Sequence, residues 1–87
     1  MTMPTDLEVL IRTDPRVVRA QAALAAAQSL YQRREAVCAA ETKAGTFHRF
    51  SNSDSARRDA HAAVDLARTN LDRVAAAARD LCAMRAS

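Results

Sequence analysis

Glycine occurs once in this 87-residue chain, proline and cysteine twice each, and tryptophan not at all. Three aromatic residues are present: Tyr31, Phe47 and Phe50. So few breakers and aromatics exclude a β-sandwich, a barrel or a βαβ unit, which need frequent turns and ring-filled cores. One glycine also leaves no phosphate-cradling loop. Two cysteines do not make a disulfide framework, and no stretch approaches the 18 apolar residues of a membrane span. The chain does not open on basic residues followed by an apolar segment, so a signal peptide is not expected and a cytoplasmic location is the default reading. No block of five like charges appears, so there is no basic tail.

The hydrophobic fraction is 49%, but 21 of those residues are alanine. Alanine has the highest helix propensity and the smallest apolar side chain. The chain therefore favours long helices and has little bulk to bury. At this length one domain is the limit, and such a domain hides only about 60% of its unfolded surface. The net charge is +3, from twelve Arg, one Lys and ten acidic residues.

Chain punctuation divides the sequence. Residues 1–14 read as a short lead-in helix capped at Thr5, with Leu7, Leu10 and Ile11 on one side. Asp14 is a good N-cap and Pro15 suits the first helical position, so a long helix is predicted over about 15–44. Gly45 stands where a left-handed helix terminator is wanted, and Lys43 complements the dipole in the last turn. A loop is predicted over 45–53 and a second long helix over about 54–84. Ser51 with Asp54 three residues on resembles a capping box, with Ser53 as the rival cap.

Val17, Ala20, Leu24, Ala27, Tyr31 and Cys38 recur at three-four spacing in the first long helix. In the second, Ala60, Ala63, Ala67, Asn70, Val74, Ala77, Leu81 and Met84 do the same. This heptad-like pattern predicts an all-α fold: an antiparallel two-helix hairpin with an alanine-rich, coiled-coil-like seam. If the helices fold back about Arg49, Val17 meets Leu81, Leu24 meets Val74, Tyr31 meets Ala67, and Cys38 meets Ala60. Asn70 then falls near Gln28, where a buried amide pair would set register. Cys82 lies opposite Arg16, about 33 Å from Cys38 at ~1.5 Å per residue, which precludes an intrachain disulfide.

A second apolar row remains on the first helix, including Leu30 and Val37, and a flank on the second, including Val64 and Leu71. One partner helix cannot cover both rows. Leu30, Val37, Val64 and Leu71 are therefore expected to form an oligomer interface, with two hairpins packing as a homodimeric four-helix bundle, or to receive a different protein on the same surface.

The most distinctive surface is Phe47-His48-Arg49-Phe50, with Arg57 and Arg58 just after it. Aromatics beside arginine suit a protein-binding hot spot. They also suit nucleic-acid contact by stacking and phosphate pairing, or the two rings could simply plug the closed end. Arg34 and Glu41 lie beside the first helix's seam; Arg34 is expected to snorkel outward. His61, Asp65, Arg68 and Asp72 read as a solvated face. His48 and His61 have no metal-ligand spacing, and no nucleophile has an oriented base, so neither a metal, a cofactor nor catalysis is expected. The expected function is a non-enzymatic protein–protein interaction module, such as a helical adaptor or inhibitor accessory to a phage, plasmid or secretion system. The alternative is a nucleic-acid-associated protein using the Arg-rich closed end.

Overall fold

A computed structural model describes residues 6–86, with the side chains of residues 9 and 11–84. The chain forms three helices: α1 (Asp6–Thr13), α2 (Pro15–Ala44) and α3 (Asn52–Ala86). The two long helices pack side by side, and α1 folds back onto both at the open end. The chain measures 61 × 27 × 16 Å. Among the described residues no helix is long and apolar enough to cross a membrane.

Local chemistry sets the boundaries of α2. Asp14 is extended (φ −60°, ψ 124°), and its Oδ1 accepts the Arg16 N–H at 2.8 Å. Pro15 follows, where its missing donor costs nothing. The Arg16 guanidinium closes on the same carboxylate at 3.2 Å, and these Arg16 bonds hold Asp14 below the usual carboxylate range. At the other end Gly45 adopts φ 76°. Its N–H donates to the Thr42 carbonyl, and the Thr46 N–H to the Glu41 carbonyl at 2.8 Å, satisfying carbonyls the helix leaves open. Space around Gly45 is empty, so Gly45→Ala is expected to cost about 1 kcal/mol through backbone strain alone. Chemical denaturation of the two chains checks this figure. Thr5, the expected cap of the lead-in helix, lies outside the described residues, as do the side chains of Leu7 and Leu10; Ile11 is half-buried.

The α2 side of the seam matches the spacing: Val17, Ala20 and Cys38 are buried, and Leu24, Ala27 and Tyr31 half-buried. The α3 side differs. Ala60, Ala67 and Val74 face inward as expected. The alternating column, however, is Val64, Leu71 and Ala78, with Val64 and Ala78 buried, while Ala63, Asn70 and Ala77 are exposed. Leu81 and Met84, also expected in the seam, are exposed. A position three residues on and one four residues on flank the same column, so either can complete a heptad pattern. The observed choice buries Val64, half-buries Leu71 and leaves the Asn70 amide in water, which avoids desolvating an unpaired polar group. Of the residues expected at an oligomer interface, Val64 is thus buried in the hairpin's own seam and Leu71 half-buried beside it, while Leu30 and Val37 are exposed; Asn70 is exposed and not in a buried pair with Gln28.

Register shifts too. Cys38 Sγ donates to the Ser53 carbonyl at 3.4 Å, and Tyr31 meets His61 edge-on with ring centroids 5.4 Å apart. With Ser53 on Glu41 at 2.7 Å, these contacts place α3 about one turn short of the register expected for a fold about Arg49. α3 already lies against α2 at its first turn, where Ser53 meets Glu41 and Cys38. Both cysteines are free thiols, Cys38 buried and Cys82 half-buried.

Candidate partner-binding tip

The closed end is organised by one carboxylate. Asp54 is 1% exposed, the most buried charged residue described. Its Oδ2 accepts the Phe50 N–H at 2.9 Å, and its Oδ1 accepts from Arg57 at 2.9 Å. Arg58 approaches Oδ2 at 3.3 Å. The Phe50 amide, then the Arg57 hydrogen bond, hold the Asp54 carboxyl below its ordinary range, against the opposing effect of burial. Ser51 is the cap: its Oγ accepts the Asp54 N–H at 3.3 Å, and its carbonyl accepts the Ser55 N–H. The capping box is displaced by one residue, since Asp54 reaches back to Phe50 and the Ser51 N–H donates to the His48 carbonyl. Ser53, the rival cap, instead donates to Glu41 Oε2 across the hairpin at 2.7 Å. Through that bond Glu41 ties α2 to the first turn of α3.

The Ser51–His48 bond closes a four-residue turn whose third position is Phe50. Turns with positive φ there normally place Gly or Asn at that position. Phe50 has φ 67°, the sole non-glycine residue with positive φ among those described. Its side chain is 70% exposed. The Arg58 guanidinium lies over its ring at 4.9 Å and that of Arg49 at 5.4 Å. An unfavourable backbone conformation is thus held by a buried carboxylate, and what it presents is an aromatic ring between two cations.

The six tip residues singled out from the sequence therefore divide. Phe47 is half-buried, with its N–H on the Glu41 carbonyl, and fits the role of end plug. Arg57 is half-buried against Asp54 and beside Cys38, so its charge is engaged within the fold. His48, Arg49, Phe50 and Arg58 remain accessible. Asp54 and Glu41 are the organising residues that the spacing alone did not reveal, although Asp54 is visible in the sequence as a cap partner.

On the body of the hairpin, Asp65 takes His61 Nδ1 at 3.5 Å as a neighbour. No cluster of three or more His, Cys, Asp or Glu suited to a metal is found among the described residues. No protein-family model matches this chain, and no curated protein or solved structure matches it either.

Proposed function

We propose that this chain is a non-enzymatic protein–protein interaction module whose tip inserts Phe50 into a partner. The observation that carries the reading is the strained, outward presentation of Phe50 between Arg49 and Arg58. A residue held in left-handed backbone costs roughly 1–3 kcal/mol, and such strain concentrates at binding sites. The chemistry of the tip defines its counterpart: an apolar pocket to take the ring, rimmed by carboxylates to meet the two guanidiniums. The working unit in this reading is larger than one chain. Leu30 and Val37 lie exposed on α2, and a second hairpin would complete a four-helix bundle.

The test replaces Phe50. Phe50→Gly relieves the positive φ, so stability is expected to stay within about 1 kcal/mol of the parent or rise. Partner affinity should fall by about 2 kcal/mol or more, roughly 30-fold, as for a central aromatic anchor. Capture from the host's lysate by the parent chain, beside Phe50→Gly, reads this directly. Proteins retained equally by both chains would refute the tip as the contact. Retention of nucleic acid that collapses steeply with added salt would replace the reading with the nucleic-acid one.

A further inference from the structure

One broad face of the hairpin is uncovered and rich in apolar residues; its α2 half is the Leu30 and Val37 row that the sequence spacing picks out, and its α3 half is not Val64 and Leu71. On α2 it carries Ala23, Leu30 and Val37, and on α3 Ala63 and Leu66, the last 72% exposed. Between the helices on this side runs an open groove of about 500 Å³ lined by Ala23, Ala27, Ala63 and Leu66, with Asn70 and Arg73 at its edge. We propose that a second copy of this chain covers this face, so that two hairpins stack as a two-layer bundle. The proposal deepens the reading of an interaction module, but it concerns the flat face and does not depend on the tip.

Three observations select a second copy. First, the surface area is too large for a lone domain. A compact monomer of this mass exposes about 5,000 Å². The hairpin exposes 6716 Å² at 9.4 kDa. The excess, roughly 1,700 Å², is about twice the ~800 Å² that each partner contributes to a standard stable interface. Second, among the described residues the buried hydrophobic core has nothing larger than valine: Val17, Ala20, Cys38, Ala60, Val64 and Ala78. A stable domain normally closes its core between two layers, and only the short α1 packs onto the two long helices, at their open end. Third, the face carries its own complement. Leu66 borders the groove that Ala23, Ala27, Ala63 and Ala67 line, so a two-fold-related copy can seat its own Leu66 there. A two-fold interface requires bumps and hollows on the same patch.

Sedimentation equilibrium and thermal unfolding of the full chain test this. The expected mass is twice that of the chain at micromolar concentration, with an unfolding midpoint that rises with protein concentration. Leu66→Glu and Leu30→Glu should each raise the dimer dissociation constant at least roughly tenfold. Gln32→Glu, on the opposite groove beside Tyr31 and His61, should leave it unchanged. Phe50→Gly should also remain dimeric, so loss of partner capture and loss of self-association are separate results. A monomeric mass with a concentration-independent midpoint overturns the proposal. So does equal weakening by Gln32→Glu and Leu66→Glu. If Leu66→Glu fails to fold, the concentration dependence of the parent chain's midpoint still decides.

Discussion

Ala78→Leu is expected to destabilise the chain by about 1–3 kcal/mol, while Ala77→Leu stays within about 0.5 kcal/mol of the parent. The two positions are adjacent in α3 and lie far from its ends, and alanine-to-leucine substitution changes helix propensity only slightly. Any large difference between them therefore reports packing. Ala78 is 1% exposed, so three added heavy atoms must push its neighbouring helices away or force strained rotamers. Ala77 is exposed and has room. For a chain of this size each kcal/mol moves the thermal midpoint by about 4–8 °C, which circular dichroism resolves easily. The reverse order of effects would put Ala63, Asn70 and Ala77 back in the seam and Val64 and Leu71 outside it.

The second large effect lies at the tip. Asp54→Asn should lower the thermal midpoint by several degrees and loosen the Phe50 turn. The amide retains one acceptor for the Phe50 N–H but loses the charge that gathers Arg57 and Arg58. Two guanidiniums would then face each other without a counterion. The pH dependence follows from the direction of the shift. The Asp54 carboxyl is held below its ordinary value in the folded chain, so the unfolded chain takes up its proton at higher pH. Its stabilising contribution is complete above the unfolded value, about 3.9, and is lost as pH falls from there through the folded value. Asp14 is lowered by Arg16 and acts in the same direction. Acid titration of stability should therefore show a steep loss in the parent chain and a shallower one in Asp54→Asn. Identical acid profiles for the two chains would remove Asp54 from its organising role.

Much of the fold is legible residue by residue. Asp14-Pro15 and Gly45 bound α2 because N-capping and left-handed termination depend on side chains a few residues apart. Ser51 starts α3 for the same reason, which sets its first residue two earlier than expected. The α2 side of the seam reads cleanly because its bulky residues fall in one column. The α3 side does not. Its shared column of Ala60, Ala67 and Val74 has flanking columns that both satisfy a heptad, and periodicity alone cannot choose between them. At the tip, the sequence marks the right segment but treats Phe47 and Phe50 alike. Their different fates depend on a positive φ at Phe50 and on Asp54 reaching back four residues, which composition does not encode.

The scarcity of glycine, proline and aromatics, set against 21 alanines, determined by itself that the chain is helical, two long helices joined once. These are local consequences of propensity and capping, each decided within a turn or two of chain. Tertiary structure alone decided which α3 column faces α2, how far along the helices meet, and which ring is held out at the tip. Those outcomes rest on contacts between residues distant in sequence: Ser53 on Glu41 and Cys38, and His61 on Tyr31. The short connection after Gly45 brings them together, and the burial of Val64 with Leu71 beside it, in preference to Asn70, selects among the registers that local pattern leaves open.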